Sequence, residues 1–517
     1  MNARMIGILA LALVRPAVAL AQGADTSRLA TITVQNDELY GTIARDFVGF
    51  SLEVSTAGQG IGAFQGEAAT RGAEQPIYAL GHPGFPNTGF FRFMRNLGPG
   101  FLRMGGNSQD NTCWDRAHAP HPDACQADIG PEDLRLFNAA CGASGWRLIV
   151  GLNLKQNDPA WALGEVGGVA REIAPACVFA LEPGNEPDLF ARTPYRPKGY
   201  AATDQVREFL AYLRAFQADS VARRYPLVGP ATCCGWRNPD DLTPFADSLA
   251  PQHLRWLTVH NYSATTCNGQ TVTAARLLSR ELMDEVMSDA ARLSGVAHAH
   301  DLPIAMAETN SASCGGMPGV SNAFASALWG LDYAFTLASA GFVNVDYHIS
   351  YRPGGGSSYN PVDTYGTQDA AGRWQYRNVA EPVYYGLYLF AQQAAGKRFM
   401  SIAVESNANV TAYAVSACGG CAVSVFVLNK DTSAAGAVRV HLAHGMGDAS
   451  LLTLDAPSLG AGAAGVRYGG MQFKSDGTIG APRTTGVRRD AAGDYDFKLA
   501  NAAIAVLTVR PAGRGKP

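Results

Sequence analysis

Between residues 46 and 393, short apolar runs alternate with longer stretches of helical period. The runs cover 47–52, 101–104, 147–152, 177–181, 226–229, 254–260, 303–308 and 341–346. Each is too short for a helix, and such apolar runs predict strands buried on both faces. Apolar positions at helical spacing fill 204–220, 274–294, 320–339 and 382–393. Eight strand–helix units in this order predict an α/β fold, a (β/α)8 TIM barrel over 46–396. After Gly396 the period drops to two. Runs such as 437–442 and 502–509 alternate with Gly, Asp and Ser turns, so 397–517 is expected to form an antiparallel β-sandwich. Residues 22–45 contain a further alternating stretch, 29–40, expected to add a strand to that sandwich.

The first residues change what the mature chain contains. Arg4, the apolar stretch 5–14 and Ala19-Leu20-Ala21 have the layout of a secretory signal over 1–21, interrupted by Arg15-Pro16. The expected location is secreted or periplasmic, with no membrane association after cleavage. Ten cysteines fit an oxidising compartment. Cys113 and Cys125 share one loop and are expected to pair. Cys418-Gly419-Gly420-Cys421 sits between two strand patterns, which favours a hairpin turn flanked by Cys over a redox or metal C-x-x-C. The net charge of −3, without runs of Lys or Arg, argues against nucleic acid and strongly anionic polymers as partners. The 10 His are scattered, with no H-E-x-x-H, and no metal or other cofactor is called for.

Candidate chemistry lies at two strand ends. Run 177–181 breaks at Glu182-Pro183-Gly184-Asn185-Glu186-Pro187-Asp188, and run 303–308 ends on Glu308, before Thr309-Asn310-Ser311. Barrel enzymes carry catalysis at the C-terminal strand ends, and two carboxyls there are the equipment of a retaining glycosidase. Supporting motifs are Gly49-Phe50-Ser51-Leu52-Glu53, Leu102-Arg103-Met104-Gly105-Gly106-Asn107, His260-Asn261-Tyr262, Tyr359-Asn360-Pro361 and Leu454-Asp455-Ala456-Pro457-Ser458-Leu459. In this order they make the chain, from about Asp46 onward, resemble glycoside hydrolase family 79, which holds β-glucuronidases and heparanases.

The resemblance implies roles. Glu186 matches the general acid/base, which gives a proton to the leaving oxygen and later takes one from water; burial and a neighbouring carboxylate would raise its pKa. Glu308 matches the nucleophile, which must be ionised to form a glycosyl-enzyme. Arg103 would keep Glu308 ionised or else pair with Glu182, and Tyr262 would orient Glu308. Asn185 would bind the sugar 2-hydroxyl. His260 reads as a core or rim histidine. Glu53 and Asn107 match positions that bind ring hydroxyls. Tyr359 matches a tyrosine that binds the substrate carboxylate, with the Ser358 N–H beside it and Gly354-Gly355-Gly356 allowing close approach. One departure stands out: many members carry a second carboxylate-binding tyrosine five residues after the nucleophile, where this chain has Ser313. Another residue then supplies the donor, or the carboxylate is held less tightly, or the sugar is modified or not a uronate. Cys314 is expected to pair with Cys267, because loops after the sixth and seventh strands are neighbours.

The implied activity is retaining exo-hydrolysis of terminal β-glucuronic acid, 4-O-methylated or not, from a glycoside or oligosaccharide. An endo-acting heparanase is the rival within the family, but it would want a basic cleft, and the chain has 41 basic against 44 acidic residues. A β-xylosidase or α-L-arabinofuranosidase on the same barrel has no use for the loop around Tyr359. A catalytically inert carbohydrate-binding protein would not need both carboxyls.

Overall fold

The structure is a computed structural model and describes residues 28–56, 75–76, 78–114, 125, 127–236, 238–352, 355–442 and 446–512. The expected signal at 1–21 and Gly354 lie outside them. Eight parallel strands form one sheet: β1 (Val48–Glu53), β2 (Phe101–Gly105), β3 (Arg147–Leu152), β4 (Val178–Pro183), β5 (Val228–Thr232), β6 (Trp256–Tyr262), β7 (Ile304–Asn310) and β8 (Asn344–Ile349). β8 pairs with β1, and a parallel bridge from Leu181 to Leu227 joins β4 to β5, so the sheet closes into a barrel. β5 and β8 begin two and three residues later than the apolar runs implied.

Each strand is followed by a helix: α1 (Thr88–Asn96), α2 (Pro131–Ser144), α3 (Pro159–Glu172), α4 (Ala202–Ala218), α5 (Pro239–Leu249), α6 (Arg280–Ala299), α7 (Phe324–Ser339) and α8 (Pro382–Gln393). Local chemistry starts several of them. Asp158 caps α3 through the Ala160 N–H at 2.9 Å, and Pro159 follows as the first helical residue. The expected helix over 274–294 is two helices, Ala274–Leu277 and α6, because Ser279 caps the Leu282 N–H at 3.2 Å and restarts the chain.

Aromatic side chains close the N-terminal end of the barrel. Phe179 stands 4.6 Å from Phe101 and 4.4 Å from Trp256, centroid to centroid, and the Arg255 guanidinium lies 4.2 Å from the Phe179 ring centre. Polar side chains therefore collect towards the other end, where the strands finish. Between β8 and α8 the chain makes a hairpin, Val362–Gln368 with Trp374–Ala380, which the sequence pattern did not reveal.

A second large sheet, mostly antiparallel, is built from the strands after α8 together with Arg28–Tyr40. Its central path runs through Met446–Asp455, Ala503–Pro511, Val423–Asn429, Val410–Ser416, Arg398–Glu405, Arg28–Tyr40 and Gly436–His441. Arg28–Tyr40 pairs antiparallel with Arg398–Glu405 and parallel with Gly436–His441. Val423–Asn429 is buried on both faces: Val423, Val425 and Val427 face a core within the sheet domain, and Phe426 and Leu428 join the barrel core. This alternation joins the two bodies through apolar contact.

Disulfides link Cys113–Cys125 and Cys267–Cys314, as spacing and strand order implied, and also Cys418–Cys421. The last closes a turn between two paired strands, where the flanking strand patterns put a hairpin. Cys141–Cys177, which ties α2 to the start of β4, was not anticipated.

Candidate active site

Arg103, on β2, is fully buried and organises the C-terminal end of the barrel. Its guanidinium donates to Glu182 on β4 at 2.5 Å, to Glu308 on β7 at 2.9 Å, to Ser51 on β1 at 3.1 Å and to Asn185 at 2.9 Å. The two roles posed for it, ion pair with Glu182 and support of Glu308, are held together. The fork geometry of Arg makes this possible, since several N–H groups point to separate acceptors in one plane.

Glu308 reaches the barrel interior through an irregularity. Val259 pairs with Met306 but His260 pairs with Glu308, so Ala307 is skipped. Strict alternation from inward-facing Ala305 would have sent Ala307 inward and Glu308 outward; the bulge re-aims the carboxyl. Its Oε1 accepts from the Tyr262 hydroxyl at 2.9 Å, and its Oε2 accepts from Arg103 and faces His348 Nδ1 at 3.6 Å. Burial opposes ionisation, but His348, His260, Arg103 and the Tyr262 hydrogen bond outweigh it and hold the pKa down at about 2.

Glu186 follows β4 with φ 49°, a left-handed conformation that side chains other than Gly seldom adopt. Its N–H donates to Ala231 O at 2.9 Å, which fixes the turn. Burial, then the charges of Glu308 and Asp188, push its carboxyl pKa well above the usual range. Its Oε1 meets His260 Nδ1 at 3.1 Å. Burial and nearby Arg103 lower the His260 pKa to about 4, so this neighbour is a neutral imidazole that does not force Glu186 to ionise. His260 thus touches the Glu186 carboxyl, a contact the sequence did not indicate. Ligand-bearing atoms of Glu186, His260 and Glu308 all lie within 4.8 Å of one another. Oxygens this near each other suit a retaining pair, whose carboxyls stand ~5–5.5 Å apart, better than an inverting pair, which keeps ~6.5–9.5 Å for water.

The other candidates surround this pair. Asn185 is held by Arg103 and by its N–H to Asp110 Oδ2 at 3.1 Å, and its Nδ2 approaches Asn107 Oδ1 at 3.4 Å. Asn107 is exposed at the rim. Glu53 accepts from the Asn107 and Ser108 N–H groups at 3.0 Å and from the Ser108 hydroxyl, so it pins the turn after β2. Gly106 makes that turn possible: its φ is 79°, and a Cβ there would lie 2.5 Å from the Glu53 carboxyl carbon. His348, on β8, lies between Glu53 and Glu308 at 3.6 Å from each. Burial lowers its pKa, but the two carboxylates prevail and raise it. The expected eighth strand ends at residue 346, two residues short of His348, and this residue was not singled out in the sequence. An inward position two residues after Asp346 was the available signal.

Tyr359 is buried, with its ring 6.2 Å from that of Tyr262 and 6.1 Å from that of His348. Its hydroxyl contacts Ser350 Oγ at 3.1 Å, and Ser350 Oγ contacts Ser357 Oγ at 2.6 Å, a chain of hydroxyls that the sequence reading missed. Two expected donors are otherwise engaged. The Ser358 N–H donates to Gly315 O at 2.7 Å, so it serves the loop rather than a ligand. The Ser313 hydroxyl donates to Thr265 Oγ1 at 2.8 Å.

No family model matches the chain. It is 27% identical over 330 residues to a β-glucuronidase of Neurospora crassa, an alignment covering 56% of this chain and 57% of the relative. The chain spans about half the length of the curated relatives it matches. Among solved structures, a 4-O-α-L-rhamnosyl-β-D-glucuronidase of Fusarium oxysporum superposes with TM-score 0.71 at 18% identity, over 92% of this chain and all of that one. A family 51 arabinofuranosidase of Xanthomonas axonopodis does so with TM-score 0.66 at 13% identity, over 93% of this chain and all of that one. The structural likenesses are of fold, a (β/α)8 barrel with an added β-sheet domain.

Proposed function

We propose that the chain is a retaining exo-β-glucuronidase of the glycoside hydrolase family 79 type, with Glu186 as acid/base and Glu308 as nucleophile. The observation that carries this is the pair itself: two buried carboxyls within 4.8 Å, one pushed towards its acid and one held ionised. Environments that drive two carboxyls apart in pKa assign their roles. Glu308 attacks the anomeric carbon while Glu186 protonates the leaving oxygen; Glu186, now ionised, then takes a proton from the water that breaks the glycosyl-enzyme. Asn185 faces the sugar 2-hydroxyl, and Glu53 and Asn107 the remaining ring hydroxyls.

The hydroxyl chain of Tyr359, Ser350 and Ser357 supplies donors for a uronate, replacing the tyrosine absent at Ser313. A buried carboxylate requires such donors, which a neutral sugar does not. The β-glucuronidase relatives support the same sugar. Beyond β3, Lys155 is bonded to Asn111 and Arg196 is paired with Glu208, so these cations do not stand ready for a sulfated chain. This favours exo-cleavage over a heparanase-like endo-activity. Four disulfides suit an oxidising, secreted or periplasmic setting.

The test is a panel of aryl β-glycosides, with glucuronide, galacturonide, xyloside and glucoside compared on one preparation. The glucuronide should be turned over fastest, with NMR showing the β-anomer as first product. A faster glucoside would overturn the sugar assignment, and an α-anomer would overturn the double displacement.

A further inference from the structure

His348 lies near the end of β8, between the reacting pair and the loop that carries Tyr359. Its side chain is almost fully buried. Nε2 lies 3.6 Å from Glu53 Oε1, and Nδ1 lies 3.6 Å from Glu308 Oε2 and 3.2 Å from Ser51 Oγ. Asn310 fixes the backbone beside it, donating from Nδ2 to the carbonyl oxygens of His348 and Tyr359, each at 3.0 Å. The two rings are thereby held with their centres 6.1 Å apart. Ser350, whose hydroxyl meets that of Tyr359, comes two residues later in the chain. Glu53, Glu182 and Glu308 gather here, and Arg103 pairs with the last two. Without a second cation the pocket floor is negative before any substrate arrives.

We propose that His348, as an imidazolium, is a specificity-determining residue whose positive charge lets this pocket accept an anionic sugar. The inference deepens the uronate reading above and rests on it. The hydroxyls of Tyr359, Ser350 and Ser357 are neutral donors, which orient a carboxylate without offsetting its charge. Ser313, engaged with Thr265, adds nothing to them. At the low dielectric of a buried site, like charges a few ångströms apart repel strongly, and one nearby cation changes the balance. Around the ring stand Glu53 and Ser51 of β1, Arg103 of β2, Glu308 of β7 and Tyr359. Burial and Arg103 oppose protonation, but Glu308 and Glu53 prevail and raise the His348 pKa. The charge is therefore present at low pH and lost as pH rises through that raised value.

The experiment compares kcat/KM on an aryl β-glucuronide and the matching aryl β-glucoside from about pH 5, where a sugar carboxylate is ionised, to about pH 9. Both substrates need Glu186 and Glu308, so the ratio isolates what reads the carboxylate. In the wild type the ratio should favour the glucuronide and fall in a step above the ordinary histidine value of about 6.5. His348→Gln should lower the ratio about tenfold or more at the acid end, mainly through KM for the glucuronide, and shrink the step. An equal loss on both substrates, or a step of unchanged size, overturns the inference. A second reading does not depend on the folding of that variant. In Glu186→Gln, whose acid/base position cannot ionise, NMR titration should show glucuronate binding weaken as pH rises through the same step while glucose binding stays level. A preference between these two sugars that ignores pH also overturns it. A wild type that prefers the glucoside at every pH would instead sink the sugar assignment itself.

Discussion

Glu186 and Glu308 are chemically identical side chains, and their neighbours make them different. Arg103 and the Tyr262 hydroxyl bond Glu308 directly, whereas Glu186 meets a neutral imidazole and two negative charges. Glu308→Ala should therefore lose nearly all activity on every substrate. Glu186→Ala should lose most on poor leaving groups and keep far more on activated aryl glycosides, which need little protonation. Rates across a leaving-group series check this, and equal losses in both variants would count against the roles. Tyr359→Phe should lower kcat/KM on a glucuronide by roughly tenfold to a hundredfold, about 1.4–2.7 kcal/mol, and barely change a slow side activity on the glucoside. Equal losses on the two substrates would mean that Tyr359 supports its loop rather than reads the uronate.

At the scale of elements, close backbone approach and one bulge do the positioning. α7 and α8 touch where Gly386 faces Ala327: a Cβ at Gly386 would lie 2.3 Å from the Ala327 carbonyl oxygen. A backbone carbonyl cannot swing aside, so the helices would have to separate. Gly386→Ala is expected to cost about 1–3 kcal/mol, with kcat per folded molecule unchanged, since these helices pack outside the barrel. Denaturant unfolding beside active-site titration measures both. The bulge at Ala307 has a sharper consequence, because it alone brings Glu308 to the same face as Arg103.

Across the whole molecule, the sheet domain meets the barrel through an apolar seam that includes a buried ion pair. Lys430 donates to Asp332 of α7 at 2.7 Å, and Tyr413 donates to the other oxygen of Asp332 at 2.6 Å. Both charged side chains are almost fully buried, at 1% and 2% exposed. Removing one partner strands the other, so Lys430→Met or Asp332→Asn should each cost about 3–5 kcal/mol. The double variant should lose clearly less than the sum, because no uncompensated charge remains. Thermal unfolding of the four proteins is the check; strict additivity would show that the two residues are not coupled.

The order of strands and helices, the change of period after Gly396 and the carboxyls of Glu186 and Glu308 were legible along the chain, because parallel strands buried on both faces read as apolar runs and the two motifs end such runs. The pairing of Cys267 with Cys314 followed from strand order alone. What folding in three dimensions decided was direction. Period two predicts the wrong face for Glu308, because a bulge is a property of two paired strands and not of one. His348 and the Ser350–Ser357–Tyr359 hydroxyls became visible only once the eighth strand took its true register, three residues later than its apolar run. The Ser358 N–H and the Ser313 hydroxyl looked free in the sequence, but contacts with distant Gly315 and Thr265 engage them. The pKa split followed the same rule: it depends on which residues of other strands stand within a few ångströms, and local spacing does not carry that distance.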